Sequence, residues 1–164
     1  MSARGLVVTG GSRGIGAEVA RLAAAQGWHV LFSYASNEPA ARALCDEIAA
    51  SGGAAHALRA DVGSEDDVFA LFREADRLFG APAGLVNNAG VVDAKARLDQ
   101  MGLARLERML RINVIGTMLC AREAVKRMST VHGGAGGSIV NVSSVAAVLG
   151  SAGEYVDYAA AKGA

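Results

Sequence analysis

The stretch Leu6-Val-Val-Thr-Gly-Gly-Ser-Arg-Gly-Ile-Gly16 joins a short apolar, β-branched run to the start of an amphipathic segment. The run predicts a buried strand, and apolar residues at helical spacing from Ile15 onward predict a helix. A doubly wound α/β fold binds a dinucleotide at such a glycine turn. It needs glycine for the tight turn, for close approach of the backbone to the pyrophosphate, and for packing of the helix start on the sheet. Gly10, Gly14 and Gly16 fit these roles, although their G-x-x-x-G-x-G spacing differs from G-x-G-x-x-G.

The rest of the chain repeats this alternation of strand and helix. Further strand-like runs occupy residues 29–34, 54–58, 85–86 and 138–142, with helical periods between them. Ser64 precedes three acidic residues and predicts a helix N-cap. Residues 103–128 predict one long or bent helix. Because parallel crossovers need a helix, we expect an α/β fold with a doubly wound, Rossmann-type parallel sheet.

Composition indicates one folded domain over residues 1–164, with 52% hydrophobic and 20% charged residues. Sixteen basic residues balance sixteen acidic ones, which argues against nucleic acid or a membrane as partner. Cys45 and Cys120 have no Cys or His at metal-ligand spacing, so no metal site is expected. The first residues lack a signal-peptide pattern and no apolar run has membrane-spanning length. We therefore expect a cytoplasmic protein that acts on a small molecule.

The residues after the second strand bear on which dinucleotide binds. An NAD site usually has Asp or Glu there, whereas this chain reads Ser33-Tyr-Ala-Ser-Asn37 and its next acid is Glu38. Arg13 can reach a 2'-phosphate, and Ser36 and Asn37 can hydrogen-bond it. The alternative is that Arg13 is only a solvated loop residue. The sequence favours NADP over NAD.

Six short segments together resemble the short-chain dehydrogenase/reductase family, and the resemblance covers the whole chain in order. Its style is that of 3-oxoacyl-(acyl-carrier-protein) reductases and related sugar or alcohol dehydrogenases. The segments are Thr9-Gly-Gly-Ser-Arg-Gly-Ile-Gly16, Ala60-Asp-Val62, Leu85-Val-Asn-Asn-Ala-Gly90, Arg111-Ile-Asn-Val114, Ile139-Val-Asn-Val-Ser-Ser144 and Tyr158-Ala-Ala-Ala-Lys162.

The resemblance implies a cofactor site and four catalytic residues. Asp61 and Val62 would meet the adenine, and Asn113 would bend the long helix and hold a water in a proton relay. The implied catalytic residues are Asn113, Ser144, Tyr158 and Lys162. The implied cofactor-binding residues are Gly10, Ser12, Arg13, Gly14, Ile15, Gly16, Ser36, Asn37, Asp61, Val62, Asn88, Ala89, Gly90, Tyr158 and Lys162.

Helical spacing separates the two tyrosines near the end of the sequence. Tyr158 lies four residues before Lys162, so both project from one helix face, whereas Tyr155 lies two turns away. Carbonyl reduction needs a proton donor at the oxygen, and a nearby cation makes tyrosine fit for this role. Ser144 would supply a second hydrogen bond, with Ser143 as its competitor.

These residues predict an NADP(H)-dependent oxidoreductase that interconverts a ketone or aldehyde and an alcohol. Family members continue past the tyrosine helix with two further strands and a substrate lid, and we expect this chain to lack them. The alternatives are an inactive nucleotide-binding fragment and an oligomerisation module. The family pairs its long helices, which implies a homodimer or homotetramer for a full-length protein.

Overall fold

Five parallel strands form one sheet in the computed structural model, which describes residues 4–164. Residues 1–3, which the signal-peptide interpretation includes, lie outside the described residues. The strands are β1 (Gly5–Val8), β2 (His29–Tyr34), β3 (Ala54–Arg59), β4 (Gly84–Asn87) and β5 (Ser138–Asn141). Their order is β3-β2-β1-β4-β5, so the direction of winding reverses between β1 and β4. Loops that leave the carboxyl ends on either side of this point form a crevice.

Seven helices connect and flank the described strands. They are α1 (Gly14–Ala25), α2 (Glu38–Ala50), α3 (Glu65–Phe79), α4 (Leu103–Leu110), α5 (Thr117–Met128), α6 (Ala146–Leu149) and α7 (Val156–Gly163). Short 3-10 turns lie at Leu98–Gln100 and Thr130–His132. Ser64 caps α3, accepting a 3.3 Å hydrogen bond from the Asp67 N–H, as the sequence predicts.

The sheet carries an apolar core on each face. Side chains alternate along a strand, so Val7 of β1 packs towards α3 and α5, while Val8 packs towards α1 and α2. Leu71 and Phe72 of α3 are fully buried on the first face, and Leu44 of α2 is nearly so on the second. The predicted doubly wound α/β fold is confirmed.

The long helix over residues 103–128 is interrupted in its middle. Its hydrogen bonding widens to a π-helical segment at Arg111–Gly116, between α4 and α5. Such π segments often occur at functional sites. Asn113, at which the resemblance implies a bend, lies within this segment.

Two absences apply to residues 4–164. No helix there is both long and apolar enough to cross a membrane. No three His, Cys, Asp or Glu side chains in that range are grouped to hold a metal ion.

Candidate active site

A cavity of about 620 Å³ lies at the carboxyl ends of β1, β2, β3 and β4. Most of the predicted cofactor residues line it, and these are Gly10, Ser12, Arg13, Gly14, Ser36, Asn37, Asp61, Val62, Asn88, Ala89 and Gly90. Four predicted cofactor residues do not line the cavity: Ile15 and Gly16 in the first turn of α1, and Tyr158 and Lys162 on α7. Four elements remote in sequence therefore converge on one crevice.

The glycine turn packs directly against the segment that follows β4. Gly10 has a φ of 65°, and a Cβ there would lie 2.9 Å from the Ala89 Cα. A Cβ on Gly16 would lie 2.5 Å from both the Asn88 Nδ2 and the Gly10 oxygen. Both positions exclude larger residues, because the contacts are with backbone or with a tightly held amide. The turn is thereby kept close to the sheet, with its backbone towards the cavity.

Thr9 and Asn88 hold this turn in place by hydrogen bonds. The Thr9 hydroxyl oxygen accepts from the N–H groups of Asn88 and Ala89, both at 3.0 Å. Asn88 Nδ2 donates to the carbonyl oxygens of Thr9 and Gly10, at 3.0 and 2.9 Å. Asn88 thus shapes the cavity wall as well as lining it. The role of Thr9 was not predicted, since it depends on a contact 79 residues away in sequence.

The cavity wall after β2 contains no carboxylate among the described residues. Glu38 begins α2 and pairs with Arg42 at 2.7 Å. Asn37 Oδ1 caps α2 by accepting from the Ala40 N–H at 3.1 Å, so this oxygen already has a partner. Arg13 is exposed at the N-cap position of α1, and Ser36 is exposed beside it along the lining. The lining therefore presents a cation and a hydroxyl here.

Asp61 and Val62 form a rigid turn after β3. Asp61 Oδ1 accepts from the Gly63 N–H at 2.9 Å, and its own N–H donates to Asp67 at 2.8 Å. Val62 is buried against Gly116 at the end of the π segment. Arg108 and Ile112 also line the cavity. Neither was predicted as a site residue. Their i, i+4 spacing puts both on one helix face, and this is the sequence signal that could have found them.

Asn113 clamps the loop that follows β4. Its Oδ1 accepts from the Val91 N–H and its Nδ2 donates to the Val91 oxygen, both at 2.8 Å. A Cβ on Gly90 would lie 2.9 Å from the Asn113 Oδ1 and 3.5 Å from the Lys162 Nζ. Asn113 and Lys162 therefore both lie next to Gly90, which lines the cavity.

Tyr158 and Lys162 lie on α7, one turn apart. The Lys162 Nζ is 5.9 Å from the centroid of the Tyr158 ring and donates to the Val142 oxygen at 2.7 Å. Burial lowers the pKa of Lys162 below its usual value. Tyr155 is the N-cap residue of α7, and its ring lies 6.0 Å from the Lys95 Nζ. The structure therefore separates the two tyrosines as helical spacing predicts.

The two serines after β5 have different partners. The Ser143 hydroxyl donates to the Lys162 backbone oxygen at 3.0 Å. Ser144 Oγ accepts from the Ala146 N–H at 3.2 Å, which leaves its own proton available for another acceptor. Lys162 bonds to Val142, the first residue after β5, and Ser144 lies two residues further on.

Comparison with known proteins shows which family this chain resembles. Residues 4–164 match the family described as short chain dehydrogenase. The chain belongs to the short-chain dehydrogenase family. It is 49% identical over 158 residues to the uncharacterized oxidoreductase YgfF of Escherichia coli, covering 96% of the chain and 64% of that protein. It is 36% identical to a 3-oxoacyl-(acyl-carrier-protein) reductase of Synechocystis, covering 99% of the chain and 64% of that enzyme.

A solved structure has the same fold. It is a blue fluorescent protein from a metagenomic library in complex with NADPH, with a TM-score of 0.87 and 33% identity. The match covers 98% of the chain and 63% of that protein. The chain thus spans a little under two thirds of the length of these relatives. The match supports the short-chain dehydrogenase fold for this chain.

Proposed function

We propose that this chain is part of an NADP(H)-dependent oxidoreductase that interconverts a ketone or aldehyde and an alcohol. The observation that carries the proposal is that Tyr158 and Lys162 lie one turn apart on α7, with the Lys162 Nζ close to Gly90 of the candidate cofactor cavity. Lys162 thus brings a cation next to a glycine that lines the cavity, and Tyr158 would act beside it as the proton donor. Membership of the short-chain dehydrogenase family supports this reading.

The cavity suits a dinucleotide in shape and chemistry. Gly10 and Gly16 keep the turn pressed on the sheet, as their blocked Cβ positions show. The N–H groups at the start of α1 and its dipole favour an anion, which fits a pyrophosphate. Once bound, the nicotinamide would supply the hydride. Asn88, Ala89 and Gly90 would form the wall against which it lies.

Charge in the cavity favours a 2'-phosphate on the ribose. Asp61 is the only acid among the described lining residues, and it lies at the end of β3 rather than after β2. Arg13 of the glycine turn lines the cavity with a guanidinium, and Ser36 supplies a hydroxyl after β2, where an NAD site needs a carboxylate. The Arg59 Nε donates to the Ala35 oxygen at 3.2 Å, which brings a second cation next to Ser36. NADP is therefore the proposed cofactor rather than NAD.

Residues of α7 and of the segment after β5 would share the work of moving the proton. Tyr158 would give its phenolic proton to the substrate oxygen during reduction and take one back during oxidation. Lys162 would stabilise the resulting phenolate and contact the cofactor ribose. Ser144, whose hydroxyl proton is available, would hydrogen-bond the same oxygen. Asn113 would hold the 91–97 loop and, with a water, complete the path for the proton.

A self-association surface is the second proposal for the chain. Along α4, the π segment and α5, several large apolar residues are at least 46% exposed, namely Leu103, Leu110, Ile115, Met118 and Val125. Exposed apolar surface on this scale marks interaction sites. We propose that the surface pairs two copies into a homodimer or homotetramer, as the resemblance implies. It is compatible with catalysis because none of these five residues lines the cavity.

The cofactor proposal is tested by heat unfolding with either nucleotide. NADPH at about 100 times its Kd should raise Tm by about 5 to 10 °C, and NADH at the same concentration should raise it less. Equal or greater protection by NADH would overturn the choice of NADP. The turnover proposal is tested by loss of NADPH absorbance with a panel of small ketones and aldehydes.

Tyr158→Phe and Tyr155→Phe form a matched pair for the turnover test. Removing the Tyr158 hydroxyl should lower kcat by about 10² to 10⁴, the usual contribution of a general acid. Tyr155→Phe should stay within about twofold, because the Tyr155 ring lies at the helix N-cap over Lys95. Full turnover by Tyr158→Phe would show that the acid is another group.

A further inference from the structure

A buried ion pair joins α4 to the first turn of α7. The Arg105 Nε lies 2.8 Å from Asp157 Oδ2, and its Nη2 lies 3.3 Å from Oδ1. The Asp157 side chain is 1% exposed and that of Arg105 is 15% exposed, the lowest values among the ion pairs of residues 4–164. Asp157 immediately precedes Tyr158. A two-point contact of this kind fixes both distance and orientation.

The same two side chains reach two further parts of the candidate site. The Arg105 Nη1 donates to the Ala94 oxygen at 2.7 Å, which holds the 91–97 loop. The pKa of Asp157 is lowered first by the hydrogen bond from Arg105 and also by the backbone N–H of Tyr158. The Arg105–Asp157 pair therefore connects three parts of the candidate site: helix α4, the 91–97 loop and the backbone of Tyr158.

We propose that Arg105 and Asp157 are positioning residues that hold α7 so that Tyr158 and Lys162 face the cofactor end of the cavity. This inference rests on the proposed function for the meaning of that position. The pair sets the N-terminal end of α7. The bonds from Lys162 to the Val142 oxygen and from Ser143 to the Lys162 oxygen set its C-terminal end.

Energetics support a role in geometry rather than in stability alone. Desolvation of a buried ion pair offsets much of its attraction, so an apolar pair of similar volume often stabilises a fold as well. A helix of eight residues has little stability of its own, and its orientation depends on tertiary contacts. The planar guanidinium of Arg105 contacts a carboxylate and a carbonyl at once, which an apolar side chain cannot do.

An exposed pair nearby is a weaker alternative for the same role. The Lys95 Nζ lies 2.8 Å from Glu154, with side chains 64% and 50% exposed. The Ala96 N–H also donates to the Glu154 oxygen at 3.0 Å, which joins the 91–97 loop to the turn before α7. Solvent screens the charged pair, so it constrains α7 less than the buried one does.

The test follows the Lys162 side chain directly. The chain contains three lysines, Lys95, Lys126 and Lys162, so ¹³Cε-lysine NMR can resolve each titration. If Asp157→Asn releases α7, Lys162 becomes more solvated and its pKa rises towards the ordinary value. Asp76→Asn is the matched control, because Asp76 makes an equally short two-point contact with Arg127 between α3 and α5. It should leave the Lys162 titration unchanged.

Arg105→Lys is measured alongside, because loss of one partner from a buried pair can unfold a chain. Lysine keeps the positive charge but cannot make the two-point contact of the guanidinium, so this variant should also raise the pKa of Lys162. An unchanged Lys162 pKa in a folded variant overturns the proposal. An equal rise in Asp76→Asn also overturns it, because general loosening would then be the cause. Unfolding of both Asp157→Asn and Arg105→Lys overturns it too, since the pair would then serve stability.

Kinetic measurements on the same variants distinguish failure of this proposal from failure of the proposed function. Misplacement of reacting groups by about 1 Å can cost on the order of 100-fold in rate, so both variants should lose about 10- to 100-fold in kcat. Neither residue lines the cofactor cavity, so any change in the KM for NADPH should come only through displacement of Lys162. A wild-type chain without turnover contradicts the proposed function, while the lysine titration still decides whether the pair positions α7.

Discussion

Ser143 and Ser144 are adjacent in sequence, but only one of them has its hydroxyl proton free for a substrate. Ser143 donates to the backbone of α7, and Ser144 only accepts. A hydrogen-bond donor to a developing oxyanion is usually worth about 10² to 10³ in kcat. Ser144→Ala should therefore lower kcat by about that factor with little change in Tm.

Ser143→Ala is the companion variant in this kinetic comparison. It removes the bond to the Lys162 backbone oxygen, so it should lower Tm slightly and reduce kcat much less than Ser144→Ala. Larger loss of kcat in Ser143→Ala would reassign the substrate contact to Ser143. Both are measured by steady-state NADPH oxidation together with thermal unfolding.

At the scale of residues, the sequence predicts the groups that lie in short contiguous motifs. The glycine turn, Asp61 and Asn88 line the crevice, and Asn113 lies beside Gly90 of its lining. The residues that it misses act through partners distant in the chain, such as Arg105 with Asp157, 52 positions later. A single arginine in an amphipathic helix reads as a solvated surface residue, because no local pattern shows which carboxylate it will meet.

Among the elements, the π segment at Arg111–Gly116 positions one wall of the cavity. Gly116 ends it and packs against the turn after β3, where a Cβ would lie 2.8 Å from both Cγ2 and the oxygen of Val62. Gly116→Ala should lower the free energy of unfolding by about 1 to 3 kcal/mol, as overpacking does. Urea unfolding measures this, and nucleotide protection should fall because Val62 lines the cavity.

Gly163→Ala gives the opposite expectation in the same experiment. Gly163 is helical, and a Cβ there would have its nearest contact at 3.9 Å. Alanine should therefore be neutral or raise the free energy of unfolding by about 0.5 to 1 kcal/mol. Equal effects of the two substitutions would mean that the contact with Val62 does not constrain the π segment.

The periodicity of the sequence predicts most elements but not the irregular ones. Residues 103–128 keep an apolar period through the π segment, so only the hydrogen bonding reveals where the helix widens. The four-residue helix α6 is too short to show a period at all. The long helices and most strands are recovered because each repeats its pattern over several residues, whereas β4 is recovered from two apolar residues, Leu85 and Val86.

In the whole molecule, the candidate site lies at the carboxyl ends of the strands, and a cluster of rings around His29 lies at their amino ends. His29 begins β2, at the amino edge, and stacks 5.0 Å from His56 of β3 and 5.5 Å from Phe79 of α3. Its Nε2 is buried without a hydrogen-bond partner among the described residues. The site lies at the carboxyl edge, so changes at His29 act on stability without touching the cavity lining.

The acid sensitivity of the fold should therefore begin with His29. Burial lowers its pKa below the ordinary 6.5, and the nearby His56 lowers it further. The unfolded chain then binds the proton more tightly, so the free energy of unfolding rises with pH up to about 6.5 and levels off above it. The pKa values of Glu123 and Asp157 are also lowered, from 4.5 and 3.8, so their contribution is lost only at lower pH.

Thermal unfolding between pH 5 and pH 7.5 isolates the histidine contribution. The wild-type chain should lose Tm as the pH falls through this window, and His29→Leu should flatten the dependence because it removes the titrating group. His132→Leu is the matched control, since His132 is exposed in the turn after α5 and should leave the slope unchanged. A slope that persists in His29→Leu would assign the sensitivity to another group. Because the cavity lies at the opposite edge of the sheet, His29→Leu should still be protected by NADPH at pH 7.5.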